Sequence, residues 1–282
     1  MSTREESRKS DYIFSTDSNT EMARLIYQDQ ILSGTMGLLP QGLQLREGGR
    51  ILDVACGPAG WARALALQYP AVQVVGVDIS QTMLDYAHAS SQAQHFPNIS
   101  FQLMDITTPW PLADASFDLV NLRFGGSFLL VKDWPRLLGE LLRVTRPGGI
   151  VRVTDLETTQ GTSSAGNRIF QMSLCALYRS GHSLTEEKMG VTHELPHLLS
   201  ESGCQQVQTK AHTLEFIAGT VGGQNTYEIA RFGFQTLLPF LQKTGCASED
   251  YDALCEQAMI EMQQPDFRVT WEILTAWGTK PA

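Results

Sequence analysis

The sequence has little of what marks membrane-spanning, secreted or nucleic-acid-binding proteins. No apolar run approaches the length needed to cross a membrane, and residues 1–18 are polar and charged, unlike a signal peptide. Lys and Arg number 21 against 30 Asp and Glu, so the net charge of -9 gives no general attraction to phosphate backbones or anionic lipid surfaces. We therefore expect a small-molecule partner rather than nucleic acid or a membrane, and a cytoplasmic location.

Cysteine is also scarce, and its five positions lack any Cys-x-x-Cys pair. An odd number without such spacing argues against a disulfide framework and against a thiolate metal site. We therefore predict no metal and a reducing compartment. Oligomeric state is not readable from the amphipathic patterns, which leaves a monomer or a homodimer.

Short apolar runs alternate with helical patterns through the first half of the chain. The predicted strands are residues 50–55, 72–78, 99–104, 117–122 and 150–155, and the helices between them include 60–68, one capped by Ser80, and 133–144. Parallel strands need such crossovers, so these units predict a doubly wound α/β core over residues 45–156.

The flanking segments complete a single catalytic domain. Ser18 to Glu21 resembles a capping box that begins a helix ending near Met36, within an N-terminal arm of residues 1–44. Residues 157–282 show helical patterns near 165–180, 193–203, 224–243 and 249–263, which we interpret as a lid over the carboxyl ends of the strands. Two β-rich pieces, 206–216 and 267–277, are predicted edge strands of a mostly parallel seven-stranded sheet.

The turn after the first strand, residues 55–60, is a GxGxxG pattern with Ala in the first place. Such a turn brings backbone N–H groups close to a ligand, and dinucleotides and S-adenosylmethionine (SAM) both use it. Asp53 distinguishes these two ligand classes. A carboxylate two residues before the turn repels the pyrophosphate of a dinucleotide but attracts the ammonium and sulfonium charges of SAM.

Two further acids end the next two strands. Asp78 is placed to accept hydrogen bonds from a ribose diol, and Asp105 from an adenine amine. Apolar faces for the adenine ring are expected from Ile79, Met83 and Ile106. Each acid has an ordinary alternative as a turn or cap residue, but the three together favour an adenosyl site.

These motifs resemble the class I SAM-dependent methyltransferases of ubiquinone and menaquinone biosynthesis. The matching pieces are residues 51–57, 75–80, 104–106, 117–120 and 146–149, although Ala55 and Ala59 stand where the family usually has Gly. The resemblance implies a Rossmann-like methyltransferase fold that binds SAM and releases S-adenosylhomocysteine (SAH). It also implies that the loop with Asp53, Ala55, Cys56 and Gly57 binds the methionine end of SAM. We predict Asn121 of the fourth strand as a further cofactor-binding residue.

The N-terminal arm resembles that of a bacterial subgroup in which the arm folds over SAM. The resemblance implies Tyr12, Arg24 and Gln28 as further cofactor residues. Arg24 and Gln28 lie one helical turn apart on one face, facing either the SAM carboxylate or solvent.

Methyl transfer needs alignment of the acceptor and exclusion of water more than it needs a nucleophile. For an acidic acceptor, the candidate bases are His182, His193 and Glu157, with Arg123 as a group that orients an anion. The fourth strand ends Asn121-Leu122-Arg123-Phe124 rather than Asn-Pro-Pro-Tyr, which sets aside amino-group methylation of adenine.

The function that the sequence predicts is therefore methyl transfer to a small, hydrophobic or aromatic metabolite by in-line displacement. An NAD(P)-dependent oxidoreductase and a SAM-binding protein without methyl transfer remain as alternatives.

Overall fold

The computed structural model describes residues 19–40 and 42–282, which form one seven-stranded sheet flanked by helices. The strands are β1 Arg50–Val54, β2 Gln73–Asp78, β3 Ile99–Leu103, β4 Phe117–Arg123, β5 Thr145–Gly161, β6 Gln205–Ile217 and β7 Arg268–Thr279. The α-helices are α1 Asn19–Met36, α2 Gly60–Gln68, α3 Gln81–Ala93, α4 Trp134–Val144, α5 Ser164–Arg179, α6 Leu195–Glu201, α7 Val221–Thr244 and α8 Tyr251–Glu261.

The strand order across the sheet is β3-β2-β1-β4-β5-β7-β6. The first five strands are mutually parallel, and β7 runs antiparallel to both β5 and β6. The doubly wound, mostly parallel seven-stranded fold is thus confirmed. One detail was wrong: β7 is not an edge strand, because it lies between β5 and β6, and β6 alone of the two forms the edge.

Helix α4 shows how apolar spacing produces this packing. Its residues Trp134, Leu137, Leu138 and Leu141 recur at helical spacing, and all are buried against one face of the sheet. Complete burial of such side chains contributes roughly 1.5–3 kcal/mol each. The opposite face is covered by α2, whose Trp61 is also buried. Both faces are therefore closed, which leaves the carboxyl ends of the strands as the place for a site.

The segment after β5 departs from the prediction in its length. β5 continues to Gly161, six residues beyond the predicted end, because β7 pairs with it along its whole length from Ile150. Glu157 therefore lies on a strand rather than in a lid. Among the described residues, no helix has the length and apolar content required to span a membrane.

Helices α5, α7 and α8, which we call the lid after the predicted role of this segment, pack around their own apolar cluster. Here the expectation from cysteine spacing was wrong, because Cys175 on α5 and Cys246 after α7 form a disulfide with their Cα atoms 6.2 Å apart. The two residues are 71 positions apart, so only the packing of α5 on α7 brings them together. Cys56, Cys204 and Cys255 are free.

Candidate functional site

A cavity of 670 Å³ opens at the carboxyl ends of the strands, between the sheet, α1 and the lid. One part, which we call the loop end, is bordered by Asp53, residues 55–58, Asp78 and Asp105. The other part, which we call the apolar chamber, is lined by Leu156, Ile169, Phe170, Leu237, Phe240 and Trp271. The two parts belong to one continuous cavity, so a ligand in each has access to the other.

The loop between β1 and α2 owes its shape to three residues in the left-handed backbone region. Ala55, Gly57 and Ala59 have φ angles of +53°, +53° and +59°. This conformation favours glycine, because a Cβ atom crowds the neighbouring carbonyl at a cost of roughly 1–2 kcal/mol. The two alanines therefore hold a left-handed backbone conformation that glycine adopts at lower cost.

Gly60, the first residue of α2, is required for a different reason. A Cβ atom placed there would collide with the carboxylate of Asp29 from α1. Asp29 in turn accepts a hydrogen bond from Arg123 at the end of β4, with 2.9 Å between Oδ1 and Nη2. Helix α1 is thereby attached to the sheet and closely approaches the start of α2.

Asp53 at the end of β1 is a buried carboxylate with one oxygen paired and one not. Its Oδ1 accepts a hydrogen bond from the Asn121 side chain at 2.8 Å, whereas its Oδ2 has no partner in the described part of the chain. Burial raises the pKa of Asp53 to about 6, although the charge of Arg123 opposes the increase. A buried oxygen without a donor favours a ligand that supplies one, and the ammonium group of SAM is such a donor.

Asn121 acts through Asp53 rather than on the cavity. It is fully buried, and its Oδ1 accepts a hydrogen bond from Arg152 Nη1 at 3.2 Å. The three residues are neighbours in register across β1, β4 and β5. Arg152 thus fixes the amide of Asn121 so that its N–H group points to Asp53. Asn121, a predicted cofactor residue, is thus absent from the cavity lining, and its contact with the site passes through Asp53.

Asp78 joins the loop to the start of α3. It accepts hydrogen bonds from the backbone N–H of Gly57 at 2.7 Å and of Ser80 at 2.9 Å. Ser80 caps α3 as predicted, with its hydroxyl accepting from the N–H of Met83. Asp78 is thus anchored by backbone groups while it borders the cavity.

The remaining predicted residues of the loop end lie where the strand order requires. Asp105 accepts hydrogen bonds from the backbone N–H and the hydroxyl of Thr107 through its Oδ1. The other predicted residues that line the cavity here are Ala55, Cys56, Gly57, Ile79, Met83 and Ile106. Burial raises the pKa of the Cys56 thiol well above its usual value, so Cys56 is a small neutral wall residue.

Helix α1 brings two predicted residues to the cavity. Arg24 pairs with the buried carboxylate of Glu21 through two hydrogen bonds of 2.8 and 2.7 Å. Its Nη1 also donates to Gln28 Oε1 at 2.7 Å, and both residues line the cavity. The helical face that carries them is therefore turned inward rather than to solvent. Tyr12 lies outside the described residues.

None of the three predicted bases lines the cavity. His182 is buried behind Phe240, with its Nδ1 2.8 Å from the hydroxyl of Ser180. Glu157 forms an ion pair with Lys188. His193 lies next to Glu194, with 3.8 Å between Nε2 and the carboxylate. The geometry thus does not bring these side chains to the place where an acceptor can bind.

Other polar residues border the cavity instead. Asp155, Thr159 and Asp29 all line it, and sequence analysis assigned a role to none of them. Asp155 ends the predicted fifth strand as Asp78 ends the second, so its position in the sequence was a signal. The sequence contains no such signal for Thr159 or Asp29. The position of Thr159 depends on a register shift in the β5–β7 pairing, and that of Asp29 depends on how α1 docks on the sheet.

The chain is similar to known methyltransferases in sequence and in fold. A family model described as a methyltransferase domain matches residues 51–149. A demethylmenaquinone methyltransferase from Geobacillus kaustophilus is 30% identical over 194 residues, covering 64% of this chain and 81% of that one. A second, from Geobacillus stearothermophilus, is 36% identical over 121 residues, covering 43% of this chain and 50% of the relative.

Solved structures share the fold at lower identity. A Haemonchus contortus phosphoethanolamine N-methyltransferase 2 in complex with SAM has a TM-score of 0.56 at 21% identity, covering 95% of this chain and 58% of that one. The 4+2 cyclase SpnF has a TM-score of 0.50 at 20% identity, covering 90% and 81%. Identity at this level shows the fold alone.

The chain belongs to the class I SAM-dependent methyltransferases, as its relatives, fold and loop jointly show. Within that class it resembles the menaquinone biosynthesis group, and SAM is its cofactor.

Proposed function

We propose that this methyltransferase transfers the methyl group of SAM to a small, largely apolar acceptor held in the apolar chamber. The observation that carries the proposal is the continuity of the cavity from the orphaned oxygen of Asp53 to the chamber lined by α5, α7 and β7. Two relatives are named for methyl transfer to demethylmenaquinone, and an acceptor with an extended apolar body suits the chamber of this chain.

The loop end supplies the groups that an adenosyl sulfonium ligand needs. Asp53 accepts from the ammonium group, and Arg24 with Gln28 addresses the carboxylate from α1. Asp78 accepts from the ribose hydroxyls. Asp105 receives the adenine amine, while Ile79, Met83 and Ile106 contact the ring faces.

SAM supplies a methyl group already bonded to a positively charged sulfur, which makes it a good leaving group. The chain therefore mainly has to orient the acceptor and exclude water. Phe170, Phe240 and Trp271 form apolar walls for that purpose. The disulfide between Cys175 and Cys246 links α5 to the residues that follow α7.

The test uses methyl-labelled SAM, the purified chain and a fractionated extract of the source organism, followed by extraction into organic solvent and mass spectrometry. We expect label in an organic-soluble metabolite. Label found instead in protein, nucleic acid or a strongly charged metabolite would overturn the proposed acceptor class.

A matched control is Asp53→Asn, which keeps the shape of the loop end but removes the charge that attracts the cofactor. It is expected to transfer little label at the same protein concentration. A parallel SAH titration by calorimetry reports whether the cofactor site itself is intact.

A further inference from the structure

Asp155 is a carboxylate at the border of the apolar chamber. It is 3% exposed, and it lines the same cavity as Asp53. By strand register it stands two strands across from Asp53 and three residues further along, which places the two Cα atoms roughly 14 Å apart. In the part of the chain that the structure describes, the other carboxylates lining the cavity belong to α1, to β1–β3 and their following loops, or to the segment before α4.

Two backbone groups hold this side chain in place. Oδ2 accepts from the N–H of Gly126 at 2.7 Å, and Oδ1 accepts from the N–H of Leu156 at 2.9 Å. A Cβ atom on Gly126 would lie 3.1 Å from Oδ2 and 3.2 Å from the Cα of Gly190, so glycine permits this close approach. Each carboxylate oxygen keeps a further lone pair for another donor.

Within residues 19–40 and 42–282, no cation pairs with this buried carboxyl group. The charged or titratable groups on the elements around it have other partners: Arg123 pairs with Asp29, Glu157 with Lys188, and His182 with Ser180. Burial consequently raises the pKa of Asp155 to about 7, while the two backbone N–H groups oppose the increase. A carboxyl group that changes charge near neutral pH inside a cavity is typical of a functional group.

We propose that Asp155 binds a hydroxyl or amino group of the acceptor and takes its proton during methyl transfer. The inference rests on the proposed function and adds a substrate class: the acceptor is a phenol, enol or aromatic amine on an otherwise apolar body. Thr159, whose buried hydroxyl has no partner in the described part of the chain, also lines the cavity and offers a second polar contact.

The step balances without another reactant. The acceptor oxygen or nitrogen forms a bond to the methyl carbon as the carbon–sulfur bond breaks, and that electron pair stays on sulfur. The proton of the acceptor passes to a carboxylate oxygen of Asp155. It is released to solvent when product leaves.

The experiment measures binding of two probes to the SAH-loaded protein by calorimetry. 2-Naphthol carries an O–H donor, and 2-methoxynaphthalene has a similar body without one. At about pH 8.5, where Asp155 is ionised, we expect 2-naphthol to bind at least about 10-fold more tightly, as a hydrogen bond to a charged group allows. At about pH 5.5 the protonated carboxyl accepts less well, and the ratio is expected to fall toward one.

Two variants separate the role of Asp155 from that of its surroundings. Asp155→Asn is expected to bind both probes with similar affinity at about pH 8.5, as wild-type protein does at about pH 5.5. Glu157→Gln is the matched control, because Glu157 is a carboxylate two residues away that does not line the cavity. This control should keep the preference and its pH dependence.

The outcomes distinguish the two proposals. If both probes bind wild-type protein equally at about pH 8.5, or if Asp155→Asn keeps the preference, the role of Asp155 is overturned while the apolar chamber stands. If neither probe binds, the chamber itself and the role of Asp155 both fail. The pH dependence of the wild-type protein needs no variant, so poor folding of Asp155→Asn leaves the test intact.

Discussion

Replacement of Asp53 by Asn tests the loop end most directly, because it separates stability from cofactor binding. The pKa of Asp53 rises from 3.8 to about 6 on folding, chiefly through burial. A carboxyl group whose pKa is higher in the folded state favours the protonated form there. Asp53 therefore does not lower the unfolding free energy below pH 3.8. It lowers that free energy increasingly between pH 3.8 and about pH 6, and by a constant amount above about pH 6.

The full effect of a shift of about two pKa units is about 3 kcal/mol, an upper bound for this site. Between about pH 4.5 and about pH 7.5, linkage predicts that wild-type protein without ligand loses about 2 kcal/mol of unfolding free energy through Asp53. Asp53→Asn removes that loss. Relative to wild type, the variant should therefore gain about 2 kcal/mol of unfolding free energy between the lower and the higher pH. At both pH values its unpaired amide N–H lowers the unfolding free energy by about 1–3 kcal/mol.

Cofactor binding should change in the opposite direction. Wild-type affinity for SAH is expected to fall about 10-fold from pH 7.5 to pH 5, because roughly one tenth of Asp53 is ionised one unit below its pKa. Asp53→Asn should bind SAH at least about 10-fold more weakly at pH 7.5, with little pH dependence. Urea unfolding and calorimetry measure the two quantities.

Asp118 on β4 provides a control with the opposite sign. Its carboxylate pairs with Arg46 and Arg146, which contribute to a pKa below its usual value. Asp118→Asn should therefore have a lower unfolding free energy than wild type at neutral pH. This difference should disappear as pH falls through the folded pKa of Asp118, and SAH affinity should be unchanged.

An Asp53→Asn protein with wild-type SAH affinity, or with the wild-type pH dependence of unfolding free energy, would refute the reasoning about Asp53.

Three further predictions test the surroundings of the site. Gly60→Ala should weaken SAH binding and destabilise by about 1–3 kcal/mol, because its methyl group displaces Asp29; calorimetry and urea unfolding measure both. Arg152→Met should move the pH midpoint of SAH binding upward, because Asp53 loses a favourable charge; an unchanged midpoint contradicts this. Cys246→Ser should lower the unfolding free energy by up to about 4 kcal/mol without reductant, as expected for a 71-residue separation, and reductant should have no further effect.

Local patterns were sufficient for most of the fold and for the loop end. Strand-length apolar runs separated by helices imply parallel strands, and the carboxyl ends of parallel strands meet at one edge. Asp53, Asp78 and Asp105 follow three such strands, so their position along one edge was predictable from the sequence. Left-handed backbone at Ala55 and Ala59 was not, because alanine rarely adopts it.

The predicted catalytic bases show which features local sequence patterns do not predict. His182 and Glu157 have the right chemistry and a place after the fifth strand, yet one lies behind Phe240 and the other pairs with Lys188. Which side chain faces the cavity depends on how the lid packs and on the irregular β5–β7 pairing, both of which join residues far apart in sequence.

The sequence by itself determined a SAM-binding α/β core, because strand period, crossover length and strand-end acids are properties of short segments. Only the tertiary structure decided that β7 inserts between β5 and β6, that Cys175 meets Cys246, and that Asp155 borders an apolar chamber. The physical reason is the same in each case: these arrangements result from long-range contacts, whose partners no local pattern specifies.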